Sequence, residues 1–152
     1  MDSLSVSSTS FKNKGMIPSE YTCDGIDISP SLDIKGIPAG TKSLVLIVDD
    51  PDAPMGTWVH WVVWNIPSKE RIEENTAPGI QGKNSAGRNS WHGPCPPSGT
   101  HRYFFKVYAL DKILDLSTSS GKNEVEKAID GHILAKGETM GLYSKKQLNR
   151  VG

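Results

Sequence analysis

Apolar residues along this chain gather in short runs cut off by proline- and glycine-rich turns. Leu44 to Val48 form one run, between Pro38-Ala39-Gly40 and Asp50-Pro51-Asp52-Ala53-Pro54. A second covers residues 58–65, with Trp58, Trp61 and Trp64, between Met55-Gly56 and Pro67-Ser68. A third covers residues 101–110 and follows a loop from Gly93 to Gly99 that holds Pro94, Pro96 and Pro97. All are rich in β-branched and aromatic residues and too short for ordinary helices, which predicts strands over 43–49, 58–65 and 101–110. Trp58, Trp61 and Trp64 also fit a helical stripe, but their β-branched neighbours and the flanking prolines favour a strand.

A helical period occurs over residues 123–135. Asn123 can cap it with Glu126 three positions on, and Val125, Ala128, Ile129 and His132 or Ile133 line one face. Gly131 weakens that helix by about 1 kcal/mol relative to alanine. A last strand is predicted near 136–143. No repeat, low-complexity tract or linker interrupts residues 1–152, so the pattern predicts one domain, mainly antiparallel β with one helix near the C-terminus, as a sandwich or barrel.

Alternate residues of a strand share a face. Leu44, Leu46 and Val48 therefore lead to Asp50, while Trp58, His60, Val62 and Trp64 share a second face, and His101, Tyr103, Phe105 and Val107 a third. Each is an apolar face carrying a titratable group at the end that meets a constrained loop. Burying a carboxylate and two imidazoles is costly unless they pair or meet a ligand. If the strand ends converge, Asp50, His60, His101 and Tyr103 line one concave pocket. Taken singly, each has a structural reading too: a hydrogen-bonded core histidine, or an aspartate organising a turn. His92 and His132 read as structural or solvent-facing.

Charge narrows the ligand class. The chain has 152 residues with 17 Lys+Arg and 17 Asp+Glu, and zero net charge disfavours a nucleic-acid binder. With 36% hydrophobic residues, disorder is excluded as well. The N-terminal residues show no basic start and no apolar stretch, and the longest aliphatic run falls far short of the roughly 18 residues of a membrane span. Those features predict a cytoplasmic protein that is not integral to a membrane. Cys23 and Cys95 are far apart in sequence, and the default reading keeps both as reduced thiols, with a bond open only if the fold brings them together.

The loop Gly93-Pro94-Cys95-Pro96-Pro97-Ser98-Gly99 is a rigid wall with few amides and the Ser98 hydroxyl, suited to a small anion. Gly82 and Gly87 have P-loop spacing but lack the Lys and Ser/Thr that reach phosphate and Mg²⁺. No G-x-S-x-G elbow occurs. The residues thus predict a binding module with no catalytic residue, metal or cofactor. The alternative is a hydrolase or metal-dependent enzyme in which Asp50 orients a histidine base, or Asp50, His60 and His101 hold iron or zinc.

Asp50-Pro51-Asp52-Ala53-Pro54, then Trp58-Val59-His60, then Pro96-Pro97-Ser98-Gly99-Thr100-His101-Arg102-Tyr103 resemble the phosphatidylethanolamine-binding protein family, also called Raf kinase inhibitor-like. Tyr21-Thr22-Cys23-Asp24-Gly25 and Gly131-His132-Ile133-Leu134-Ala135 resemble its short prokaryotic branch. The resemblance implies a large antiparallel sheet packed on a smaller one, with a pocket for phosphate or a phosphoethanolamine-type headgroup. By motif, Asp50, Trp58, His60, Pro96, Pro97, His101 and Tyr103 would line that pocket, with Asp52, Ser98 and Arg102 supporting its loops. It further implies a homodimer and modulation of kinases or proteases. On this reading His60 and His101 both donate hydrogen bonds to the anion.

Overall fold

The computed structural model describes residues 2–145. Its elements in chain order are β1 (Asp2–Ser3), β2 (Ser5–Ser7), a 3-10 turn (Ser19–Tyr21), β3 (Leu32–Lys35), β4 (Ser43–Asp50), β5 (Trp58–Ile66), β6 (Arg71–Ile72), β7 (Ile80–Gln81), β8 (Thr100–Leu110), α1 (Lys122–Ile129) and β9 (Ile133–Ser144). A six-stranded sheet has the order β1-β9-β8-β4-β5-β7, and a three-stranded sheet the order β2-β3-β6. All pairings are antiparallel except β1 with β9. The protein is thus mainly β, as the alternation predicts.

Burial on both faces of β4 explains its uninterrupted apolar run. Leu44, Leu46 and Val48, with Phe105 and Val107 of β8, pack against Val6, Leu32, Ile34 and Ile72 of the small sheet. On the opposite face Val45, Ile47, Val62 and Trp64 pack against Leu114 and the α1 residues Val125 and Ile129. One layer of the large sheet therefore separates two apolar cores, and the site lies where its strands β4, β5 and β8 end.

Strand β5 departs from strict alternation. Val48 pairs with Trp61 but Asp49 pairs with Val59, so His60 is the extra residue of a β-bulge. Trp61 and Val63 then join the core of Leu46 and Val48, whereas Val62 and Trp64 join the other. The expectation that Trp58, His60, Val62 and Trp64 share one face is corrected: the bulge breaks the period after His60.

The helix is also shorter than its sequence period. It begins with Gly121, whose N–H donates to the Glu124 carboxylate at 2.7 Å, rather than with Asn123 and Glu126. It ends at Ile129, because Gly131 adopts φ +80° and turns the chain into β9. Ile133 to Ala135 are therefore strand, and His132 sits in the turn, paired with Asp111 at 2.9 Å. Among the described residues no helix is long and apolar enough to cross a membrane.

The reduced-thiol reading is corrected as well. Cys23 and Cys95 form a disulfide with 5.4 Å between their Cα atoms. It joins the segment after the 3-10 turn to the proline-rich loop before β8, and Cys23 N–H also donates to Pro94 O at 3.1 Å. The two segments are neighbours only in the fold, which sequence spacing does not reveal.

Candidate functional site

Three strand ends and two loops enclose a cavity of about 210 Å³. β4 contributes Asp50, β5 contributes Trp58 and His60, and β8 contributes His101 and Tyr103. The loop after β4 adds Ala53 and Pro54, and the loop before β8 adds His92, Cys95, Pro96 and Pro97. The structure therefore brings together Asp50, Trp58, His60, Pro96, Pro97, His101 and Tyr103 around one space. Ser98 is exposed and does not line it. His92 does, contrary to its reading as a bystander. It lies beside Gly93 at the start of the proline-rich loop, and that adjacency is the one signal the sequence offered.

Antiparallel pairing of β4 with β8 sets Asp50 beside His101. The His101 Nδ1–H donates to Asp50 Oδ2 at 2.6 Å, with both side chains buried. Asp50 Oδ1 accepts the Asp52 N–H at 2.7 Å, so the same carboxylate fixes the loop that follows it. Asp52 in turn accepts from Arg102: the guanidinium at 2.9 and 2.8 Å and the backbone N–H at 2.9 Å. That guanidinium bond holds the Asp52 carboxyl down at about 2. Asp52 and Arg102 thus tie the β4 loop to β8 and leave the cavity to their neighbours.

The bulge aims His60 at the same space. His60 Nδ1–H donates to the His92 carbonyl oxygen at 2.5 Å, which fixes the ring and its tautomer. Only 4% of His60 is exposed. Burial is the main cause that lowers its pKa to about 4, against the opposing effect of that carbonyl and of Asp50. His60 is therefore neutral near pH 7. Its Nε2 is an acceptor, which corrects the expectation that His60 donates to an anion.

Tyr103 stands edge-on to His60, with ring centroids 5.2 Å apart, and stacks on His101 at 6.4 Å. Burial, followed by the Asp50 charge, raises its pKa, so the phenol keeps its proton and remains a donor. Trp58 closes the outer rim at 36% exposure, 6.1 Å from the His92 ring. Pro96 and Pro97 shape a wall without offering an N–H. Among the described residues no lysine or arginine lines the cavity.

The site therefore offers one buried carboxylate–imidazole pair, one neutral imidazole acceptor and one phenol donor inside mostly apolar walls. A cavity of this size accommodates one small polar group rather than a drug-sized ligand, which needs roughly 300 Å³ or more. Among the described residues no three His, Cys, Asp or Glu side chains are grouped to hold a metal ion. His60 and His101 each spend Nδ1 inside the protein.

Comparison with known proteins agrees on one family. A sequence model of the family described as phosphatidylethanolamine-binding protein matches residues 7–144. A UPF0098 protein of Pyrococcus horikoshii is 50% identical over 155 residues, covering 95% of this chain and 78% of its own. A UPF0098 protein of Methanothermobacter thermautotrophicus is 46% identical, covering 93% of this chain and 99% of its own. Among solved structures, CT736 of Chlamydia trachomatis is described as a phosphatidylethanolamine-binding protein homologue. It superposes with a TM-score of 0.91 at 39% identity, over 96% of this chain and 100% of that one. YbcL of E. coli, described as a member of the mammalian family, gives a TM-score of 0.86 at 31% identity, over 94% and 99%.

Proposed function

This chain belongs to the phosphatidylethanolamine-binding protein family, and we propose that its pocket binds a small phosphoryl anion without turning it over. The anion is free phosphate or the phosphoryl group of a phosphoethanolamine-type headgroup. The observation that carries this reading is the buried Asp50–His101 pair at the floor of a small cavity. With Nδ1 bonded to Asp50, His101 has Nε2 left for the ligand, and in its protonated form that nitrogen is a charged donor. The Tyr103 phenol supplies a neutral second donor.

Hydrolysis is the weaker reading. It needs an activated nucleophile, and Ser98, the hydroxyl available to it in the sequence, lies outside the cavity lining. Modulation of a kinase or protease and a homodimeric assembly are further layers that the pocket geometry does not require.

Titration calorimetry with inorganic phosphate and with phosphoethanolamine at pH 6 tests the binding reading. Saturable binding is expected, weakened about tenfold or more in His101→Ala, the loss of one charge-assisted hydrogen bond. Release of phosphate from phosphomonoesters, abolished in the same variant, would overturn it in favour of an enzyme.

A further inference from the structure

Resting on the anion-binding reading, we propose that the pocket selects the singly protonated form of a phosphomonoester, whose P–O–H donates to His60 Nε2, over the dianion. A carbonyl oxygen only accepts, so the 2.5 Å contact with His92 O places the His60 proton on Nδ1. The ring is 4% exposed and lines the cavity, and with Nδ1 engaged it is Nε2 that can accept from a ligand there. A phosphate dianion has no proton to give to that nitrogen, and two acceptors facing each other in a desolvated site are costly. A monoanion carries one P–O–H and satisfies it.

Charge in the cavity leads to the same form. From β4 the Asp50 carboxylate faces the site, and Asp49 acts on His60 from the opposite face of the strand. From β8 come His101, bonded to Asp50, and the neutral Tyr103; from the loop comes His92. Among the described residues no lysine or arginine belongs to this lining, and Arg102 is engaged with Asp52. A protonated His101 balances Asp50, and the His92 imidazole is then the one other group of the described lining able to carry a positive charge. With His92 neutral, a second negative charge on the ligand would stay uncompensated beside that carboxylate, whereas a single one is shared with the Tyr103 phenol and the His101 N–H.

The ligand's own ionisation tests this without altering the protein. Methyl phosphate loses its second proton near pH 6, as phosphomonoesters do; methylphosphonate loses its own at higher pH, and dimethyl phosphate has a single charge and no P–O–H. Calorimetry at constant ionic strength from pH 5 to pH 9 is expected to give two displaced curves. Affinity for each monoester-like ligand falls up to about tenfold per pH unit above that ligand's own second ionisation, so methylphosphonate persists to higher pH. Dimethyl phosphate is expected to bind more weakly than either at pH 5. Coincident curves would assign the pH dependence to a protein group and overturn the selection of a protonated ligand, with the anion pocket intact. Equal binding of dimethyl phosphate would do the same. Absence of binding by all three at every pH would instead remove the anion reading itself.

Discussion

Asp50 Oδ2 and His101 Nδ1 lie 2.6 Å apart across adjacent strands, both nearly sealed from solvent. Among the described residues the carboxylate is the hydrogen-bond partner this geometry gives that imidazole, so under the anion-binding proposal it is the group that would support a charged ring. Asp50→Asn keeps the shape and removes the charge. Phosphate affinity at pH 6 is expected to fall about tenfold in this variant, the value of one charge-assisted contact. An unchanged affinity at pH 6 would show that Asp50 organises its loop through Asp52 and does nothing for the ligand.

Burial of His60 has a cost in acid that can be measured apart from binding. The folded protein holds this group at about 4, below the ordinary imidazole value of 6.5. Between those values the unfolded chain binds a proton that the folded one refuses, so stability falls as pH drops through that window and levels off below it. The full loss is at most about 3 kcal/mol. His60→Gln retains an N–H for the His92 carbonyl and does not titrate. Its urea-unfolding free energy relative to wild type is therefore expected to improve steadily from pH 7 to pH 4. A difference that stays constant with pH would remove the buried neutral imidazole from the account.

The two strands that supply Asp50, His101 and Tyr103 keep strict alternation, which is why those residues were legible from the sequence. Leu44, Leu46 and Val48 predict the face of Asp50, and Phe105 and Val107 that of Tyr103 and His101. β5 hides its bulge because both of its faces are buried beyond His60: Trp61 and Val62 are equally apolar, so the hydrophobic pattern does not show on which side the strand continues. Trp58 and His60 both line the pocket as expected, and only Val62 and Trp64 lie on the opposite side. The helical period in the sequence overruns the helix because Ile133 continues it, and only the backbone of Gly131 shows that the chain has already turned. The disulfide was illegible for a different reason. A separation of 72 residues says nothing about proximity until the proline-rich loop is seen lying on the 3-10 turn.

That disulfide both crosslinks the chain and anchors the pocket wall. Closing a loop of 72 residues removes unfolded-state entropy, corresponding to about 4 kcal/mol in the chain-entropy model. Cys95 itself lines the cavity between Pro94 and Pro96. Paired Cys23→Ser and Cys95→Ser substitutions are therefore expected to lower the guanidinium midpoint and to weaken phosphate binding together. Wild-type protein in reductant should match them. A large loss of stability with unchanged affinity would mean that the hydrogen bond from Cys23 N–H to Pro94 O holds the wall alone.

Gly93 and Gly99 bound that wall, and their different surroundings separate its position from its flexibility. A Cβ on Gly93 would lie 2.0 Å from Asp27 Oδ1 and 2.5 Å from the Tyr21 carbonyl oxygen. Neither can retreat easily: Asp27 accepts the Trp91 Nε1–H at 3.0 Å, and the Tyr21 atom is backbone. Gly93→Ala must therefore shift the loop, at about 1–3 kcal/mol of overpacking, and with it the adjacent His92 carbonyl that holds His60. Gly99 has open space around its Cα and a φ of +68°, so Gly99→Ala costs only the left-handed backbone penalty of about 1–2 kcal/mol. Comparable destabilisation by the two variants is expected to accompany very different binding. Phosphate titration should fail with Gly93→Ala and remain near wild type with Gly99→Ala, because only the former moves the acceptor that fixes the His60 tautomer. Equal affinities in the two would mean that the site tolerates displacement of its wall and that the His60–His92 bond does not govern recognition.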